Sequence, residues 1–159
     1  MKVFISSTRK DLAEYRDKAI ELVLRHKCEP LAMEFFNAQT DDATTVCEGE
    51  IRECDVFIGI YAHRYGFVPD GETKSITQLE YEMAKDLKKP CLCFIVEENH
   101  PWNPKFFERE KYGALERFLK KLKKECVVEF FKSPEDFGLR LSTSLAKHIK
   151  EKEGTPVHD

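Results

Sequence analysis

Two patterns of apolar residues alternate along this chain. Short, almost continuous apolar runs occur at KVFI (2–5), LAMEFF (31–36), Cys54–Ile60, CLCFIV (91–96) and CVVEFF (126–131), and each predicts a strand. Between them, apolar positions recur every three or four residues. Leu12, Tyr15, Ala19, Leu22 and Val23 predict a helix ending near Lys27, and Leu115, Phe118, Leu119 and Leu122 predict another, with Gly113 as a break or kink near its start. Phe137, Leu141, Leu145 and Ile149 form the buried face of a last helix. Ser133, Pro134, Glu135 and Asp136 open it with a cap, a proline in the first turn and two acids that suit the helix dipole.

The stretch from Cys54 to Ala84 carries the most information, because a strand, a polar and aromatic loop and a helix start follow one another there. Ser75 with Gln78 predicts a capping box, the hydroxyl accepting from a free amide and the glutamine reaching back. A helix beginning at Ile76 puts Ile76, Leu79, Met83, Ala84 and Leu87 on one face, and Glu80 falls inside that arc while Glu82 points elsewhere. A carboxylate among aliphatic side chains is costly unless it is paired, neutralised or open to a polar cleft. Lys88, Lys89 and Pro90 close this helix. Upstream, Pro30 marks the entry to the second strand, residues 37–44 form a polar loop, and Thr45 with Glu48 predicts a second capping box. The short helix it opens runs through Cys54 and contains Gly49, which costs about 1 kcal/mol relative to alanine.

Strands alternating with helices predict an α/β protein with a parallel sheet covered on both faces. Five such units fit a flavodoxin-like three-layer sandwich with strand order 2-1-3-4-5, whose ligand crevice lies beyond the strand ends between the first and third strands. Residues 1–152 are expected to form one domain and 153–159 a flexible tail. The loops expected at the crevice are SSTR (6–9) and YAHRYG (61–66).

At 159 residues the chain is long enough to bury a sizeable core. Its formal charge of -3 provides no general attraction to nucleic acid or to an anionic membrane, so neither is expected as a partner. The basic run KKLKK at 120–124 suits the solvated face of a helix. No stretch reaches the length of a membrane span and the amino terminus lacks a signal-peptide core, so a cytoplasmic location is expected. The six cysteines show no zinc-like spacing and read as small apolar residues, Cys91 and Cys93 sharing one face of their strand. No metal is expected.

Three groups of residues are candidates for chemistry. Ser6, Ser7, Thr8 and Arg9 precede a helix and can present hydroxyls and amides to phosphate, although without the glycines of a P-loop; Ser7 or Thr8 capping the helix explains them equally well. Tyr61, Arg64 and Tyr65 follow a strand end, where rings can stack on a base and a guanidinium can pair with phosphate or with a carboxylate of the protein itself. His63 has no serine or cysteine nucleophile in a recognisable elbow, which argues against a hydrolase triad. Glu80 is either a carboxylate lining a nucleotide cleft or half of a buried pair, with Arg64 as the expected partner.

The segments VFISSTRKDL, IRECDVFIGIYAHRYG and SITQLEYEMAKDLKKPCLCFIV together resemble a TIR-like (Toll/interleukin-1 receptor-like) family of undefined function, found at the amino terminus of signalling NTPases of the NACHT type. The likeness spans residues 2 to about 96. VFIS and EYEMA are also similar, more distantly, to Toll/interleukin-1 receptor domains, whose catalytic members carry a glutamate matching Glu80. The resemblance implies a flavodoxin-like fold, a role in signalling or defence, self-association with other TIR-like domains, and cleavage of the nicotinamide–ribose bond of NAD+. No cofactor is required. It makes Glu80 the catalytic carboxylate and Ser6, Ser7, Thr8, Arg9, Tyr61, Arg64 and Tyr65 the nucleotide pocket. Where those catalytic domains carry a tryptophan–cysteine pair, Ile76 and Thr77 stand here. Two further readings are a non-catalytic interaction domain and, by likeness to nucleoside deoxyribosyltransferases, N-glycosidic transfer chemistry.

Overall fold

The computed structural model describes residues 1–32 and 43–154. Five parallel strands, β1 (Lys2–Ser7), β2 (Glu29–Leu31), β3 (Val56–Tyr61), β4 (Cys91–Val96) and β5 (Val128–Phe131), form one sheet in the order β2-β1-β3-β4-β5. The helices are α1 (Ala13–Arg25), α2 (Ala43–Glu53), α3 (Ile76–Asp86), α4 (Tyr112–Glu125) and α5 (Pro134–Glu153). This is the flavodoxin-like α/β sandwich expected from the alternating pattern.

The strands are apolar on both sides because both faces are covered. Their period of two sorts the core into two layers. Val3, Ile5, Val56, Ile58, Ile60, Phe94 and Val96 face α1 and α5, whose Tyr15, Ala19, Val23, Phe137, Leu141 and Leu145 complete that layer. Phe4, Phe57, Tyr61, Cys93 and Ile95 face the other way, against Cys47 and Ile51 of α2, Tyr81 and Ala84 of α3, and Leu115, Phe118 and Leu122 of α4.

Several boundaries differ from the sequence reading. The second strand begins two residues early, at Glu29, ends at Leu31 and takes Pro30 into the edge position where its missing N–H costs no ladder bond; residues 33–36 of the expected 31–36 strand and most of the 37–44 loop lie outside the described residues. Helix α2 starts at Ala43, so Thr45 falls inside it and is not its cap. Gly113 lies in the first turn of α4 without breaking it, β5 starts at Val128, and Glu153 belongs to α5. In the basic run, Lys120, Lys123 and Lys124 are exposed while Leu122 is buried. No described helix is long and apolar enough to cross a membrane.

Tyr61 corrects an expectation. Its ring turns away from the crevice, folds back over Gly59 and meets Phe118 edge-on at 5.3 Å between centroids. A Cβ on Gly59 would lie 2.1 Å from the Tyr61 hydroxyl, so glycine is needed for this close approach. Because Tyr61 is enclosed, it has little room to yield. Gly59→Ala is therefore expected to destabilise the fold by about 1–3 kcal/mol, the usual cost of overpacking a core, read as a lowered midpoint in denaturant with an unchanged slope.

Candidate functional site

The sheet order reverses direction between β1 and β3, and a cleft of about 440 Å³ opens beyond the carboxyl ends of these strands. Ser7, Thr8 and Arg9 line it from the end of β1, Arg64, Gly66 and Phe67 from the loop after β3, and Ile76, Thr77 and Glu80 from α3. Arg16 of α1, Cys47 of α2, and Glu108 and Lys111 from the segment before α4 complete it.

Helix α3 is set by its amino-terminal cap. Ser75 is buried and its Oγ accepts from the Gln78 amide at 3.2 Å, as the capping pattern predicts. The reciprocal half of the box is replaced. The Gln78 side chain accepts from the Tyr65 hydroxyl at 2.5 Å, and that hydroxyl in turn accepts from the Ser75 amide at 3.2 Å. Tyr65 thus satisfies the free amide and ties the loop to the helix instead of facing the cleft. The helix is also rotated relative to expectation. Thr77, Glu80, Tyr81 and Ala84 form its buried stripe, while Ile76 and Leu79 are half-buried. Glu80 lies in the middle of that stripe.

Glu80 is 6% exposed, at the base of the cleft. Ser6 Oγ donates to its Oε1 at 2.9 Å, and the Cys47 thiol donates to it from α2. Burial raises its pKa from the ordinary 4.5 to about 7, against the stabilising pull of Cys47, Ser6 and the Arg16 charge. The Cys47 thiol is pushed up in turn by burial and by the neighbouring carboxylate, so it remains a neutral donor. Arg16, only 3% exposed, donates through Nη1 to Ser7 Oγ at 2.9 Å. Ser7 Oγ donates to the Thr8 carbonyl at 2.7 Å and Thr8 Oγ1 to Asp11 Oδ1 at 2.6 Å. Neither hydroxyl caps α1, whose cap position is Leu12.

Arg64 does not pair with Glu80. Its guanidinium lies 3.3 Å from Glu108 and 4.0 Å from Asp11. Glu108 also accepts from the Gly66 amide at 2.9 Å and sits 3.7 Å from Lys111, whose Nζ donates to the Gly66 carbonyl at 3.0 Å. The loop after β3 is therefore fastened to the segment before α4. Gly66 has φ +101, and a Cβ there would crowd Thr8 and Thr77 at 3.2 and 3.3 Å. His63 turns out of the cleft and stacks on Phe107 with centroids 4.3 Å apart; burial lowers its pKa.

Of the residues singled out from sequence, Ser7, Thr8, Arg9, Arg64 and Glu80 line the cleft. Ser6 acts behind it through Glu80, while Tyr61 and Tyr65 serve the core and the helix cap. Arg16, Cys47, Phe67, Thr77, Glu108 and Lys111 were not anticipated. Arg16 had a signal, since it sits one turn after Leu12 and one before Ala19, inside the apolar arc. Glu108 and Lys111 had none. The lining brings five cationic side chains, Arg9, Lys10, Arg16, Arg64 and Lys111, against two carboxylates, Glu80 and Glu108, in a chain of net charge -3. Among the described residues no cluster of three His, Cys, Asp or Glu could hold a metal ion.

A model of a family described as a domain of unknown function (DUF4062) matches residues 2–146. The chain belongs to the DUF4062 family. No curated protein sequence matches it. Among solved structures, the DUF4062 chain is similar to the CMP N-glycosidase BcmB of Clostridium botulinum, at 14% identity and TM-score 0.57, over 91% of this chain and 99% of that one. It is also similar to the TIR domains of the activated Roq1 resistosome, at 12% identity and TM-score 0.52, over 92% and 81%. A probable GTP-binding protein, EngB, aligns at 13% identity and TM-score 0.57, over 95% and 99%. At such identities the shared property is the fold.

The raised pKa of Glu80 makes stability depend on pH. The folded chain retains the Glu80 proton up to about 7, whereas an unfolded chain loses it near 4.5, so stability falls as pH rises through that window. Glu80→Gln carries no such penalty. It is expected to gain stability over the parent by up to about 3 kcal/mol above pH 7, with the gain disappearing below the ordinary glutamate value, in paired denaturant titrations across pH.

Proposed function

We propose that this domain binds a nucleotide in the cleft and cleaves its N-glycosidic bond, with Glu80 as the catalytic carboxylate and NAD+ as the leading substrate. The observation that carries this is Glu80 itself, a buried carboxylate with a pKa near 7, held by Ser6 and Cys47 at the base of a cationic cleft. A structural ion pair would place a cation directly on it, whereas the carboxylate is gripped by neutral donors and opens to the cleft. The similarity in fold to a CMP N-glycosidase and to TIR domains supports the same reading.

The chemistry follows from the arrangement. Arg9, Lys10 and Lys111 attract the phosphates of a nucleotide at the mouth, and Arg64 extends this field. Phosphates held there leave the ribose over Glu80. When the bond from C1′ to the base breaks, its electron pair leaves with the base and positive charge develops on the ribose ring; the carboxylate stabilises that charge and holds the ribose hydroxyls. Water then adds to C1′. Nicotinamide departs from NAD+ as a neutral base, so no strong acid is required. A cationic nicotinamide ring entering the cleft favours the ionised form of Glu80. Signalling or defence through self-association with other TIR-like domains is the proposed setting.

Base release from NAD+ and from CMP, followed chromatographically, tests the proposal. Nicotinamide release is expected to rise with pH as Glu80 ionises near 7, and base release to fall by about 100-fold or more in Glu80→Gln. Neither base being released, by the isolated or the assembled protein, or equal release by the variant, would refute it. Arg9→Gln combined with Lys10→Gln is expected to raise KM roughly tenfold with little change in kcat, because exposed cations at the mouth contribute to uniform binding.

A further inference from the structure

A second groove, of about 730 Å³, lies at the opposite end of the sheet, where β4 and β5 begin and the last turns of α3 and α5 pass. Cys91, Cys93 and Cys126 all line it. Cys126 is half-buried and reachable from the groove, while Cys93 is 2% exposed. Both are thiols, not a disulfide. The Cys93 thiol is close enough to Cys126 for the two to titrate together, and the Tyr81 hydroxyl lies 3.2 Å from the Cys126 sulfur. Lys85 adds a positive charge nearby.

Cys126, half-buried with the Tyr81 hydroxyl at 3.2 Å and Lys85 nearby, is better placed to carry a thiolate than the enclosed Cys93. The Cys93 thiol, then the Tyr81 hydroxyl and Lys85, hold the Cys126 pKa below the ordinary thiol value against the opposing effect of burial. The other five cysteines, Cys28, Cys47, Cys54, Cys91 and Cys93, are all shifted upward. A cysteine serving only as a small core residue needs no hydroxyl and second thiol gathered at its sulfur. An accessible thiolate in contact with a second, buried thiol is the arrangement from which a sulfenic acid forms and is then captured.

We propose that Cys126 is a hydroperoxide-reactive site and that Cys93 is the thiol that resolves it. The Cys126 thiolate attacks one peroxide oxygen, forming an S–O bond as the O–O bond breaks; sulfur is oxidised by two electrons, the peroxide is reduced, and the departing oxygen takes a proton from water. The Cys93 sulfur then attacks Cys126, the S–S bond forms as the S–O bond breaks, and hydroxide leaves with the Cys93 proton as water. The site is independent of Glu80 chemistry and of the cleft.

Treating the full chain with a small excess of hydrogen peroxide, blocking residual thiols by alkylation and mapping peptides by mass spectrometry tests the assignment. The expected product joins Cys93 to Cys126 and is two hydrogens lighter, resolved from Cys91 by fragmentation and retained in Cys91→Ser. In Cys93→Ser, a sulfenic-acid-selective diketone is expected to label Cys126. Should Cys93→Ser fail to fold, the parent and Cys91→Ser still decide the matter. A Cys126 that stays fully alkylatable after peroxide, or a crosslink that joins Cys126 to a cysteine other than Cys93, overturns the proposal.

Discussion

A carboxylate kept away from water at the carboxyl end of a parallel sheet constrains much of this structure. Removing Glu80 from solvent is costly, and the surrounding elements offset that cost in part. Strand β1 ends in Ser6, whose hydroxyl reaches Oε1; α2 brings the Cys47 thiol; and α1 begins so that Arg16 lies within electrostatic range. These two donors and the Arg16 charge come from three segments on both faces of the sheet. The cleft is therefore held by the same contacts that make Glu80 tolerable. The compensation is incomplete, and the pKa near 7 expresses the remaining desolvation.

The loop after β3 follows from this arrangement. It must cross from the end of the strand to the cap of α3 without covering Glu80, and it does so through two anchors. Tyr65 satisfies the Ser75 amide and the Gln78 side chain at the helix start, while Glu108 binds the Gly66 amide and Arg64 on the other side. With Gly66 in a left-handed conformation against Thr8 and Thr77, the loop has little freedom. The result is a preformed cleft whose mouth is basic although the whole chain is acidic.

Most of the fold was legible because it rests on local periodicity. Apolar runs of strand length, helical stripes and the Ser75 and Ser133 caps report backbone structure directly, and in both caps the serine hydroxyl accepts from the amide three residues on. The anomaly at Glu80 was legible for the same reason, since a charge inside an apolar arc violates the pattern that surrounds it. The direction in which Tyr61 and Tyr65 point was not. Tyr61 lies on the core side because Gly59, two residues earlier, leaves room for its ring, and Tyr65 is drawn to a helix start ten residues away. A loop motif read in isolation counts both rings as available to a ligand.

By itself the sequence determined the alternating elements, the two-faced burial of the strands, the start of α3 and the presence of one carboxylate out of place. Only the tertiary structure decided which charges meet. Arg64 pairs with Glu108, a residue in a segment with no periodic signal, while Glu80 receives Ser6 and Cys47 from elements distant in sequence. Local propensities act over a few residues, whereas these partnerships depend on how the ends of separate strands and helices converge at the carboxyl end of the sheet.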